Sequence, residues 1–440
     1  MSAKSSREAD TSIRPFRIAI PDEQLDDLRD RLARSRLPNE LDNSKWELGT
    51  PLADMQRLTK YWATDFDWRR AEASLNEFPQ FETDIAAEGF EPLKIHFIHK
   101  RSSVPGAIPL IFVHGWPGCF YEGTKIIEPL TNPPRDEEGK GDVPAFHVVV
   151  PSLPNFGFSE GTSKRGFSVD QHAEIMNQLM LRLGYDEYVA QGGDWGFFII
   201  RAMGRRYSPR HLKAQHLNMD GYQIPPLLKS PLVALRSYAK LLWLSPRERE
   251  GIRNSKAFHA TGSAYASLHG TRPQTISYAL TDSPAALLAW VYEKLVTWTD
   301  AYPWTDDEVC TWMSIYWFAT AGPGASVRLY NEFFVAGAAP QKPDAQVTSA
   351  TAATPVLHST QDELREWQDC KLGFGHFPND VVTLPGVWGY GMGRVVYEKD
   401  HDSGGHFAAW EKPDYVVADL RSMFGPKGGA RDAVKNLKKD

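Results

Sequence analysis

Apolar residues along this chain fall into two patterns, short runs in its middle and helical spacing around them. Ile95, Phe97 and Ile98 read as one strand, and residues 110–113, 146–150, 188–190 and 212–217 as others. The run at 110–113 has no polar residue, as burial on both faces requires. A helix is marked between Ser168 and Gly184. Ser168 and Gln171 have capping-box spacing, Met176, Leu179, Met180 and Leu183 share one face, and Gly184 ends it. Phe197, Phe198, Ile199, Ile200 and Met203 predict a buried helix just after the 188–190 strand. Strand rhythm returns at 371–373 and 394–398, and a last helix at 413–424 carries Val416, Val417 and Leu420 on one side. Strands separated by helices or long crossovers predict an α/β protein with a mostly parallel central sheet flanked by helices.

The other segments lack this rhythm. Residues up to about 95 read as an appended module rather than the start of a sheet. Ile18 and Ile20 close a short strand that Pro21 stops, and Asp22 can cap a helix bearing Leu25, Leu28 and Leu32. Trp46, Trp62 and Trp68 lie on amphipathic pieces that pin the module to the main body, plain packing being the alternative. Residues 220–345 are helical and aromatic-rich, and their place after the 212–217 strand suits a lid over the sheet's carboxyl edge. Residues 338–360, rich in Pro, Ala, Thr and Ser, read as an exposed loop or linker. The tail after Gly425 is basic, short and expected to fray. The organisation expected is an N-terminal extension at 1–95, a core in two parts at 96–219 and 346–440, and a helical lid at 220–345.

Composition narrows the class. A chain of 440 residues can bury a large core, and a net charge of -6 excludes the basic surface that nucleic acid requires. Fourteen tryptophans and 22 phenylalanines suggest aromatic-walled cavities, although most such residues are core. Cys119, Cys310 and Cys370 show no metal-ligand spacing and fit a reducing compartment. Residues 1–12 are polar, and no apolar run approaches a signal h-region or membrane span. A cytoplasmic, soluble protein without a stable membrane anchor is expected.

The chemistry centres on Gly192-Gly193-Asp194-Trp195-Gly196, which has the spacing of a nucleophile elbow with a carboxylate where a hydroxyl is usual. An Asp is ionised at neutral pH and can attack without first giving a proton to a base. Such a nucleophile suits an electrophilic sp3 carbon, and the product is an alkyl ester of the enzyme. An Asp capping a helix after two glycines would give the same pentapeptide. The ester also needs an oxyanion hole, a base for water and an acid that orients the base. His114-Gly115-Trp116-Pro117-Gly118 follows the 110–113 strand, and the backbone N–H groups of Trp116 and Trp195 could hold the oxyanion. Among thirteen histidines, His406 sits on a Gly-rich loop after the last strand and before the last helix, where a base follows in nucleophile–acid–histidine order. His96, His99, His114, His147 and His376 have no comparable placement, and His114 reads as a loop-shaping hydrogen-bonder. Asp380 is favoured as the acid over Asp362, Asp369, Asp400 and Asp402, because it alone follows a predicted strand on an apolar loop.

With these motifs in place, the chain resembles the microsomal-type epoxide hydrolases of the α/β-hydrolase superfamily, in particular their soluble fungal branch. The resemblance covers nearly the whole chain. It includes Ile20-Pro21-Asp22 and Trp46-Glu47-Leu48-Gly49 in the N-terminal extension, the 114–118 turn, the 193–196 elbow and the 404–409 loop. It implies Asp194 as nucleophile, His406 as water-activating base and Asp380 as its orienting carboxylate, the acid of fungal rather than mammalian members. It also implies two tyrosines of the lid, Tyr265 and Tyr330, as donors to the epoxide oxygen. A phenol, with an ordinary pKa near 10, stays protonated and can give that hydrogen bond. Two departures stand out: the membrane anchor of mammalian members is missing, and the 338–360 stretch is longer than the family pattern.

The activity implied is hydrolysis of small apolar or aromatic epoxides to vicinal diols by water, with no metal or organic cofactor and no nucleic-acid partner. A homodimer is left open. A haloalkane dehalogenase-like hydrolase would use the same Asp with halide donors in place of phenols. A non-catalytic ligand-binding protein of this fold would not need Asp194, Asp380 and His406 together.

Overall fold

The sheet starts earlier than the apolar pattern predicts. The computed structural model describes residues 9–134, 143–334 and 359–434. In it Arg14–Pro15 (β1), Gln80–Ile85 (β2) and Leu93–Lys100 (β3) form an antiparallel edge, with Phe81 opposite Phe97 and Gln80 opposite Ile98. The expectation that the first 95 residues stand apart from the sheet is thereby corrected. β2 escapes a hydrophobicity reading because it buries polar groups that have partners. Thr83 accepts a hydrogen bond from Arg182 at 3.1 Å, and Asp84 pairs with Arg14 at 3.0 Å.

Ile18 and Ile20 lie in no strand. Their N–H groups are taken by the side chains of Asn76 and Glu72, at 2.9 and 2.7 Å, which hold the segment without a neighbouring chain. Asp22 is the first residue of the helix Asp22–Ala33 (α1) rather than its cap, a place where its charge still suits the helix dipole. Leu25, Leu28 and Leu32 are buried as expected. Leu52–Thr64 (α2) and Trp68–Leu75 (α3) follow.

The central elements match the apolar pattern closely. They are Ile108–Val113 (β4), Thr124–Thr131 (α4), Phe146–Pro151 (β5), Val169–Arg182 (α5), Tyr188–Gly192 (β6), Trp195–Tyr207 (α6) and Leu212–Leu217 (β7). Every position of β4, β5 and β6 is buried. α5 opens on the Ser168–Gln171 capping box, and Gly184 takes φ +87 beyond its end.

Among the described residues seven α-helices are inserted next: Pro231–Lys240 (α7), Pro246–Ala257 (α8), Ala264–Thr271 (α9), Pro273–Asp282 (α10), Pro284–Thr297 (α11), Asp306–Trp317 (α12) and Arg328–Phe334 (α13). Trp62 donates to Ser314 Oγ at 3.0 Å, while the rings of Trp46 and Trp68 meet Tyr292 and Phe318 at 5.7 and 5.4 Å. The three tryptophans thus fasten the N-terminal helices to the inserted ones, not to the sheet.

Gln361–Leu364 (α14), Gln368–His376 (β8), Gly393–Asp400 (β9), Ala408–Glu411 (α15) and Pro413–Phe424 (α16) complete the chain. The nine strands of the described residues run in the order β1-β2-β3-β5-β4-β6-β7-β8-β9, parallel from β5 to β9. The 338–360 loop lies outside the described residues but for Ser359 and Thr360. The expected fraying after Gly425 is corrected for residues up to 434: Ala430 is buried and its N–H bonds to Met423 O at 3.0 Å.

Candidate active site

Parallel strands end together, so the loops after β4, β6, β8 and β9 meet over one edge of the sheet. β6 delivers the chain to Asp194, whose φ of +49 and ψ of −127 form the sharp turn before α6. A non-glycine residue held there stores about 1–3 kcal/mol of strain. The neighbouring glycines permit the turn because of what stands beside them. A Cβ at Gly196 would overlap the carbonyl of Val113, and one at Gly115 would overlap the Asp194 carboxylate itself.

The two oxygens of that carboxylate have different neighbours. Oδ1 accepts the backbone N–H of Trp116 at 2.7 Å. Oδ2 lies 3.3 Å from Nε2 of His406. On the other side of the imidazole, Nδ1 stands 2.6 Å from Oδ1 of Asp380. The loops bearing His406 and Asp380 are joined by Asn379 N–H, which donates to Gly404 O at 3.0 Å, and His406 N–H donates to Trp298 O at the end of α11 at 2.8 Å. Asp362, Asp369, Asp400 and Asp402, the competing acids, are all exposed. Burial alone would strip His406 of its proton, but Asp380 and Asp194 outweigh it and hold the imidazole well above its ordinary value.

Trp195 opens α6, so its N–H lies at the helix N-terminus beside the elbow. His114 shapes its loop, with Nδ1 on Gly115 O at 2.9 Å and Nε2 accepting Leu153 N–H at 3.2 Å. Burial drives its pKa down to about 4, so it remains neutral.

The inserted helices bring Tyr265, on α9, and Tyr330, on α13, over this edge. Tyr265 stacks on Trp116 at 5.1 Å, Tyr330 meets Trp195 edge-on at 4.7 Å, and the two rings lie 5.9 Å apart. Burial, then the charge of Asp194, pushes the Tyr265 phenol up. Tyr330 is raised likewise, by burial first and then by Tyr265 and Asp194. Tyr330 Oη is buried without a well-formed hydrogen bond, as is Nε2 of His406. Tyr330 borders a cavity of about 600 Å³ that Asp194, Trp195, Phe198, Tyr265 and Phe334 also line, and His406 faces Asp194.

Some neighbours carry no sequence signal. Glu122 is buried near Asp194 and His406, and burial lifts its carboxyl to about 8, against the pull of His406. His269 packs against Trp116 and Tyr330 at 4.6 and 4.8 Å, and burial drives it down to about 3. Nothing in local spacing separates these residues from other helix positions.

Residues 13–123 match the family model described as Epoxide hydrolase N terminus, and residues 108–321 the alpha/beta hydrolase fold. Epoxide hydrolase 1 of Sus scrofa is 34% identical, over 94% of this chain and 89% of its own. The structure of Aspergillus niger epoxide hydrolase is 34% identical with a TM-score of 0.75, covering 94% of this chain and 96% of that one. Juvenile hormone epoxide hydrolase of the silkworm Bombyx mori has a TM-score of 0.79 at 27% identity, over 98% of this chain and 96% of its own.

Proposed function

The chain belongs to the epoxide hydrolases of the α/β-hydrolase fold, and from that premise we propose a two-step conversion of small apolar or aromatic epoxides to vicinal diols through an ester on Asp194. Neither metal nor organic cofactor takes part. The observation that carries this reading is the division of labour at one carboxylate: Oδ1 on the Trp116 N–H, Oδ2 facing His406. Oδ1 already sits where an ester carbonyl oxygen must be, which leaves Oδ2 as the attacking atom.

In the first step Oδ2 bonds to a ring carbon while the carbon–oxygen bond breaks and the departing oxygen takes a proton from Tyr265 or Tyr330. The phenolate so formed takes a proton from His406. Asp194, now an uncharged ester, no longer supports charge on His406, and the imidazole becomes a base. It then deprotonates a water that attacks the ester carbonyl carbon. The N–H groups of Trp116 and Trp195 stabilise the oxyanion, each by about 3 kcal/mol. Collapse returns the proton from His406 to the departing diol oxygen, and the acid left on Asp194 reprotonates His406. The inserted helices, residues 220–345, serve as a lid that supplies the phenols. The three cysteines are free and buried, which fits a cytoplasmic location. A dehalogenase would have no use for two phenols above its nucleophile.

His406→Gln tests the order of events. Mixed with excess styrene oxide, it should gain one covalent adduct on Asp194 while turnover falls by about 10²–10⁴-fold, the usual worth of a general base. No adduct in a folded variant would overturn the reading.

A further inference from the structure

Asp380 lies on the chain that leaves β8 toward β9, and the residues on either side of its turn, His376 and Leu384, are tied to one carboxylate. Asp220 follows β7 at the same sheet edge and is buried. Its Oδ1 lies 2.7 Å from Nδ1 of His376, the last residue of β8. Its Oδ2 accepts the N–H of Leu384 at 2.9 Å, beyond Asp380. The Leu384 carbonyl is held as well, accepting the Tyr222 hydroxyl at 3.2 Å. Two oxygens of a single side chain therefore close residues 377–383 into a loop, with Asp380 at its centre.

The rest of the surroundings stiffens this closure. Glu398 on β9 places Oε1 3.1 Å from His376 Nε2, so the imidazole is held from both sides. A Cβ at Gly386 would overlap the Glu398 carboxylate, which shows how closely the returning chain packs on the pair. From the middle of the loop, Asn379 N–H reaches Gly404 O at 3.0 Å, two residues before His406. Burying carboxylates around an imidazole is unfavourable unless every partner is placed. The chemistry proposed above uses neither Asp220 nor His376, so the arrangement needs another reason.

We propose that Asp220 is a positioning residue for ester hydrolysis, setting the 377–384 loop so that Asp380 meets Nδ1 of His406. It acts through Asp380, so the inference rests on the role given to that residue. A misplacement of about 1 Å between a base and its orienting group is enough to cost about 10²-fold. The alkylation step, which uses Asp194 and the phenols, does not depend on this loop in the same way.

The test is pre-steady-state turnover of styrene oxide by D220N, following ester formation and decay by intact-protein mass. In D220N only the amide oxygen can accept, so one of the two bonds is lost. The limiting rate of ester formation is expected within about twofold of wild type, and ester decay slowed about tenfold or more, so that the adduct accumulates. Y222F, which frees the Leu384 carbonyl and removes a hydroxyl 3.5 Å from His376 Nδ1 but leaves both Asp220 oxygens in place, should slow decay by a smaller factor, and it decides the matter if D220N does not fold. Unchanged decay in the folded variants would overturn the proposal, and so would equal slowing of both phases. D380N separates the two layers: wild-type decay there would refute the role of Asp380 itself, whatever D220N does.

Discussion

At the scale of single side chains, the proposed mechanism uses the phenols for ring opening and the imidazole as a base only in ester hydrolysis. Tyr265 and Tyr330 line the cavity with Asp194, and burial and the charge of Asp194 hold their protons, which fits the proposed role in ring opening. Y265F and Y330F should each slow ester formation by about 10–10²-fold, and the double variant by more than either, with decay of preformed ester little changed. Rapid-quench measurement of both phases checks this, and near-normal ring opening in the double variant would contradict it. Asp194, His406 and Asp380 were legible because each follows a predicted strand, where a parallel sheet gathers its loops. Asp220 follows a predicted strand too, but its two bonds join elements more than 150 residues away. No local pattern encodes such a contact. Glu122 and His269 became visible only once burial placed them beside the reacting groups.

At the scale of elements, the elbow depends on backbone approach as much as on the residue at its tip. Gly115 comes so near Asp194 that any side chain there must displace the carboxylate. G115A should therefore lose about 10²-fold or more in ester formation while the chain still folds. Circular dichroism and adduct mass measured on the same sample check both halves. Ester formation at the wild-type rate would show that the turn has more room than the geometry allows. The strands β4 to β7 were readable from hydrophobicity because they are covered on both faces. β1 and β2 were not, since strands at the antiparallel margin of the sheet can bury Thr83 and Asp84 against arginines and so carry no apolar signature. The tryptophans of the N-terminal helices were expected to pin them to the main body, and their partners Tyr292, Ser314 and Phe318 belong to the inserted helices and their flank. The strap thus spans the segment that supplies the phenols.

At the scale of the whole molecule, stability is expected to lean on His376 and activity, in the proposed mechanism, on His406. Although burial pulls the other way, Asp220 and Glu398 lift His376 to about 10. A raised folded value means that its contribution is complete below the unfolded value of about 6.5 and is lost as pH climbs through about 10. Urea unfolding of wild type and H376Q across this range should show an advantage for wild type that shrinks toward alkaline pH. A constant difference would mean that His376 packs without carrying charge. Among the described residues no helix is long and apolar enough to cross a membrane. The central claim concerns bond order in time: carbon joins Asp194 before water enters. A single turnover of styrene oxide by excess enzyme in oxygen-18 water tests it directly. The account predicts unlabelled diol from that first turnover, with the heavy isotope found in the Asp194 peptide. Labelled diol and an unlabelled peptide would contradict it.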